Sequence, residues 1–180
     1  ERRDPQVRRR VRPSVGRERG DLAAEDLLDV AHAGRLRGLN GKSFDNRMGL
    51  FVMIEALRKT RQHELDVHAV ASVQEELGMR GANVAARNID PDLGIALDIT
   101  VANDVPEAKA HEHITRLGQG TAIKVMDSSV VCHPKVVSFL KKLAEEKKIR
   151  YQMEVLPRGG TDTAAIQRAG SGAAVGCISI

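Results

Sequence analysis

The feature that most restricts the fold of this chain is an alternation of apolar segments that becomes regular after residue 48. The stretch "MGLFVMIEALRKT" carries Leu50, Phe51, Ile54 and Leu57 at helical spacing. "LDVHAVASV" is β-branched and reads as a strand that stops just before Glu75. A short helix, "GANVAARNI", and a further strand, "DLGIALDITVA", follow. The second half repeats the pattern with strand "TAIKVMD", helix "HPKVVSFLKKLAEEKK", strand "YQMEVL", short helix "TDTAAIQRAG" and strand "GAAVGCISI". Proline suits the first turn of the long helix, and Gly170 closes the short one. Strands separated by helices predict an α/β fold with a largely parallel sheet. Upstream, residues 21–36 suggest a short helix, and Asn40-Gly41 signals a turn.

A chain of 180 residues is long enough for one domain with a real core. No apolar run approaches the roughly 20 residues of a membrane helix. The N-terminus is arginine-rich and lacks the apolar centre of a secretory signal. Cys132 and Cys177 are far apart and have no CxxC partner, which argues against a disulfide framework or a thiolate zinc site. A soluble, cytoplasmic protein is expected, with no membrane partner. The formal net charge of +4 resides mostly in "ERRDPQVRRRVRPSVGRERG". That arm has few apolar residues to offset its ordering entropy and is expected to be disordered or loosely attached. Its arginines could neutralise phosphates. It has no aromatic residues for base stacking, however, so nucleic acid is not expected as a partner.

The chemistry of the chain lies in its acids. Glu75 and Glu76 are adjacent at the end of one predicted strand, and Asp98 lies late in the next. Asp45 stands at the entrance to the first strong helix. In α/β sheets, sites gather where strands end, so these four acids could converge. Converging carboxylates need protons, cations or metal to neutralise them. Divalent ions accept such a set, and zinc does so when histidine completes the shell. An acid left without a metal would act as base toward water and then as acid toward a leaving amine. From spacing alone, "EE" reads first as solvated surface charge, and the apolar strand before it and the glycine-rich turn after it argue for a site.

The histidines offer less. His111 and His113 have an alternating, metal-like spacing but fall in a polar loop. His133 precedes Pro134 and reads as a helix cap or packing residue; His68 is expected in the core, and His32 and His63 have no evident partners. "LGQG" at 117–120 is too short for a phosphate fingerprint, because Ile123 stands where a third glycine belongs.

Four motifs in this order, "SFDNRMG", "VQEELGMRGA", "ALDIT" and "PRGGTD", closely resemble the tetrahedral or glutamyl (deblocking) aminopeptidase family of zinc exopeptidases, some members of which carry an endoglucanase label. The resemblance covers about residues 38–180. It implies a zinc-exopeptidase-like domain whose mixed, largely parallel sheet packs between helices. It also implies hydrolysis of N-terminal peptide bonds by water activated between two divalent ions, with zinc expected and cobalt or manganese as alternatives. Carried over by position, Asp45 would bridge the ions, with Asn46 following through what is often a cis peptide. Glu76 and Asp98 would each bind one ion, and Glu75 would be the general base. Arg158, Gly159, Gly160, Thr161 and Asp162 would line the substrate side.

Residues 1–37 fit the family poorly. Its two ligand histidines belong upstream of Asp45 and after "GCISI", beyond what this sequence offers, and its dimerising insert is nearly absent. The expectation is therefore a partial catalytic domain over 38–180, weakly active or inactive alone, acting on peptides and forming homo-oligomers when intact. Two other readings stand beside it. One is a non-catalytic fragment or subunit that associates with another chain. The other is a glycoside hydrolase using paired carboxylates.

Overall fold

A computed structural model describes residues 41–180 except residue 62. The helix expected at 21–36 and the basic segment at 1–37 lie outside the described residues. Helix α1 spans Phe44–Lys59 and departs from helical geometry at Asp45 and Asn46 in its first turn. Arg58 and Lys59 in its last turn suit the negative end of the helix dipole. The helix stops at Thr60, whose N–H and hydroxyl both donate to the Ala56 carbonyl. The predicted apolar stripe of α1 is not buried: Leu50, Phe51, Ile54 and Leu57 are all exposed, and the buried residue is Gly49. A Cβ on Gly49 would come within 2.9 Å of the Leu97 carbonyl oxygen. Glycine there lets α1 lie directly on the neighbouring strand.

Helix α2 (Arg80–Ile89) buries Ala82 and Ala86, one turn apart, and is followed by strand β1 (Leu93–Asp98). A single 3₁₀ turn at Ala110–Glu112 precedes β2 (Thr121–Met126). Helix α3 (Pro134–Glu146) carries proline in its first turn and buries Val136, Leu140 and Ala144 at i, i+4 and i+8. Strand β3 (Tyr151–Val155), helix α4 (Thr163–Gln167) and strand β4 (Ala174–Ser179) complete the fold.

The four strands form one sheet in the order β1-β4-β2-β3. The outer pairs β1/β4 and β2/β3 are parallel, and the central β2/β4 pair is antiparallel. The sheet is therefore mixed, as expected. Its two faces are covered by different helices. On one face, a Cβ at Gly176 would run into Val136 and Leu140 of α3, and Ile178 and Ala174 pack with Ile123 against the same helix. On the other face, Val175 packs with Ala164 of α4 and with Val130. Residues Ala96, Cys132 and Cys177 fill the core beside them.

The strand expected in "LDVHAVASV" is a correction. Its residues have no regular secondary structure and make no sheet ladder among the described residues, and Leu65 and Val73 are 71% and 65% exposed. β-branched side chains favour an extended backbone, yet a strand also needs a neighbour to accept its hydrogen bonds. The predicted core placement of His68 fails for the same reason: it is exposed.

Candidate active site

The site is assembled around the last residue of β1. Asp98 lies in register with Ser179, the last residue of β4. One Asp98 oxygen, Oδ1, accepts from the Ile99 N–H at 2.8 Å and from Asn46 Nδ2 at 3.1 Å. Asn46 also donates to the Leu97 carbonyl at 2.8 Å, while its own Oδ1 accepts from the Gly49 N–H. One amide thus ties the entrance of α1 to the end of β1. The Asp45–Asn46 peptide is cis, as the motif led one to expect, and Asp45 itself is exposed.

Glu75 and Glu76 lie in the turn that leads into α2. The Glu75 carbonyl accepts from the N–H groups of Gly78 and Met79, closing the turn. Gly78, at φ +100°, has a conformation that a side chain would strain. Gly81 lets α2 start hard against Val73, since a Cβ there would lie 2.4 Å from the Val73 nitrogen. Glu75 is half-buried and Glu76 exposed.

Asp162 comes from the loop that precedes α4. Its Oδ2 accepts from the Ser72 hydroxyl, while Oδ1 is buried with no partner among the described residues. Burial, followed by the charges of Asp98, Asp162, Glu76 and Asp45, pushes the Glu75 carboxyl up to about 7. Burial first, with Asp45 and Asp162 adding to it, lifts Asp98 to about 6, although the Ile99 N–H pulls it down. Burial also raises Asp162, against the lowering effect of the Ser72 bond.

The remaining expected residues divide. Arg158, Gly159 and Gly160 are exposed. The Gly159 carbonyl is held by the Ser128 N–H and hydroxyl. Thr161 is buried, with its hydroxyl committed to Asp127 and Thr163, so it secures the loop from beneath. Of the histidines, His111 and His133 are exposed, and both ring nitrogens of His113 are buried with no partner among the described residues. Among the described residues, no three His, Cys, Asp or Glu side chains gather closely enough to enclose a metal ion.

Sequence reasoning missed the groups beneath the acids. Lys124 and Glu154 are wholly buried and ion-paired across adjacent positions of β2 and β3. Asp127, 2% exposed, accepts from the Ser129 N–H, the Ser129 hydroxyl and the Val130 N–H. The available signal was a lysine inside the apolar run "AIKVM" opposite a glutamate inside "QMEVL". Burying two such charges costs free energy unless they meet.

The donors of the cluster are carboxylate oxygens, a set that suits a divalent cation, with the buried Asp162 Oδ1 left without a partner among the described residues. The chain thus presents a mixed α/β sheet with helices on both faces and Asp98 at the end of one strand. The profile of the M42 glutamyl aminopeptidase family matches residues 27–180, and the chain belongs to that family. A lysyl aminopeptidase from Pyrococcus furiosus is 42% identical over 137 residues, covering 76% of this chain and 38% of the relative. Among solved structures, an aminopeptidase from Desulfurococcus kamchatkensis superposes with a TM-score of 0.75 at 45% identity, covering 77% of this chain and 40% of its own. The Pyrococcus horikoshii TET1 peptidase, which assembles into a tetrahedron or a large octahedral shell, gives a TM-score of 0.60 at 27% identity, with 77% of this chain and 40% of its own covered. The chain spans less than half the length of these relatives. Among the described residues, no helix is long and apolar enough to cross a membrane.

Proposed function

We propose that this chain carries the carboxylate half of a metal-dependent aminopeptidase site that hydrolyses N-terminal peptide bonds. The observation that carries the reading is the Asn46 bridge, which ties the α1 entrance beside Asp45 to Asp98, with the charges of Asp98, Asp162, Glu76 and Asp45 all raising Glu75. Asp45, Glu76 and Asp98 would hold two divalent ions, with Asp45 shared between them; zinc is the first choice and cobalt or manganese the alternatives. Such ions supply polarisation of a carbonyl and acidification of water. Glu75, half-buried and beside these acids, accepts a proton at its carboxylate and returns it to the leaving amine. The 158–162 loop, with Asp162 turned toward the acids, borders the peptide. A homo-oligomer is part of the same proposal, supported by the shell-forming TET1 peptidase, as is a cytoplasmic location.

Because no three donors enclose an ion among the described residues, the chain alone is proposed to bind metal weakly and to turn over little substrate. Zinc titration calorimetry on the 180-residue chain tests this directly. Weak binding that weakens further in D98N and E76Q supports the reading. Tight two-ion binding sinks the claim of weakness, and no binding at any zinc concentration sinks the assignment of the ligands.

A second reading is favoured by the exposed apolar surface of α1 and the exposed segment from Leu65 to Val73, which joins no sheet among the described residues. Such surfaces invite association. Light scattering decides: a clean monomer at high concentration removes this reading.

A further inference from the structure

The buried Lys124 lies between two carboxylates, Glu154 and Asp127, each of which begins an arm toward the acidic cluster. One arm runs through Glu154, whose Oε1 receives both the Lys124 ammonium and the Thr100 hydroxyl, the latter at 2.9 Å. Thr100 is two residues beyond Asp98. The other arm runs through Asp127, whose Oδ2 is 4.0 Å from Lys124 Nζ and accepts from the Thr161 hydroxyl at 3.1 Å. Thr161 is followed by Asp162, which is bonded to Ser72, three residues before Glu75. Lys124, Glu154 and Asp127 are at most 2% exposed. Their charges are therefore screened by protein rather than water, and each hydrogen bond to them is stronger than a neutral one.

We infer that Lys124 is a positioning residue that sets the Asp98 strand end and the Ser72–Glu76 segment at a fixed separation, through Glu154–Thr100 on one side and Asp127–Thr161–Asp162–Ser72 on the other. The arrangement explains why an ion pair occupies the core at all. A buried pair is weak support for stability and is often replaced by apolar residues without loss. Here each carboxylate of the triad also holds a hydroxyl from a different loop, and both loops end at an acid of the cluster. The positioning role rests on the aminopeptidase reading, but its structural consequence is tested independently of activity or metal.

Amide hydrogen exchange, followed by NMR on the full chain, separates the possibilities. K124M/E154Q removes the ammonium and leaves an uncharged acceptor for Thr100. T161V breaks the Asp127 arm, together with the Thr161–Thr163 bond, and T100V breaks the Glu154 arm. In K124M/E154Q, exchange should accelerate at least tenfold both at 78–81, whose amides donate to the Val73, Gln74 and Glu75 carbonyls, and at 98–99, while the amides of β4 keep their protection. T161V should loosen 78–81 alone, and T100V should loosen 98–99 alone. A merely structural lysine would instead speed exchange uniformly, β4 included. Uniform acceleration, or unchanged exchange in both segments of the folded variants, overturns the inference. If K124M/E154Q does not fold, the two single-arm variants decide, because they leave the ion pair intact. Metal titrations that fail while the arm-specific exchange holds would count against the enzymatic reading and not against the mechanical one.

Discussion

Asn46 and Asp98 are 52 residues apart in sequence and joined by a 3.1 Å hydrogen bond from the amide to the carboxylate. The same amide nitrogen donates to the Leu97 carbonyl at 2.8 Å. The side chain next to Asp45 therefore fixes the orientation of Asp98, and two proposed metal ligands are braced by a group that binds no metal.

Replacing Asn46 with alanine removes those bonds and the one received from Gly49. Individual hydrogen bonds contribute about 0.5–1.5 kcal/mol net, and more when one partner is charged. N46A should lose about 1–3 kcal/mol in urea unfolding and should also weaken zinc binding. An unchanged unfolding midpoint would show that this brace carries no load.

Gly49→Ala tests the close approach of α1 to β1. The new methyl meets Asn46 Oδ1 at 2.3 Å and the Leu97 carbonyl at 2.9 Å. Overpacking of this kind costs about 1–3 kcal/mol, outweighing the gain of up to about 1 kcal/mol from better helix propensity. Thermal melts should show net destabilisation; a more stable G49A would mean that helix and strand are not held in register.

Lys124→Met alone strands Glu154 and Asp127 as buried carboxylates. Breaking one side of such a pair costs about 3–5 kcal/mol. The double variant K124M/E154Q should recover much of that loss. Chemical denaturation of the two variants side by side checks the order, and a double variant less stable than the single one contradicts it.

Cys177 gives a pH test. Its thiol is wholly buried, and burial pushes it up to about 12 from an ordinary value of 9.0. The folded state therefore holds the thiol proton more tightly than the unfolded state does. The resulting stabilisation is complete below pH 9 and is lost as pH rises toward 12, at about 1.4 kcal/mol per unit of difference. Unfolding free energies of the wild type should fall more steeply than those of C177A over pH 9–11. Parallel slopes would refute the shift. At pH 8, Cys177 should also resist thiol reagents until the chain is denatured.

Added zinc should raise the melting temperature by mass action, because the folded chain gathers the acids and the unfolded chain does not. The rise should shrink in D98N and E76Q but persist in E75Q, since Glu75 is proposed to move protons rather than hold metal. Chelation should reverse it. Any hydrolysis that survives a chelator would favour glycosidase chemistry instead.

Much of the fold was legible because it depends on local pattern. Val136, Leu140 and Ala144 repeat every four residues, and their helix formed where expected. The segment from Leu65 to Val73 shows the limit of such patterns, because β-branching specifies an extended backbone but not a neighbour. The stripe on α1 marks the same limit: Leu50, Phe51, Ile54 and Leu57 have helical spacing yet remain exposed. Asp45, Glu75, Glu76 and Asp98 could be listed from motifs, and Asp162 proved to be electrostatically coupled to them. The Lys124 junction was not legible. A single lysine in an apolar strand acquires meaning only once β2 and β3 are paired, and that pairing is 30 residues distant in sequence.

Strand β4 has a consequence for the order of folding. It pairs with β1, placing Asp98 opposite Ser179, and with β2, placing Ala122 opposite the same serine. Β1 and β2 do not touch each other in the sheet order. During synthesis β2 can pair with β3 once that strand emerges, whereas β1, whose one neighbour in the sheet is β4, must wait for the last of the four. Contacts between residues so distant in sequence close slowly. The edges of β1 therefore stay open to other chains until β4 arrives, an interval in which the nascent domain is exposed to aggregation.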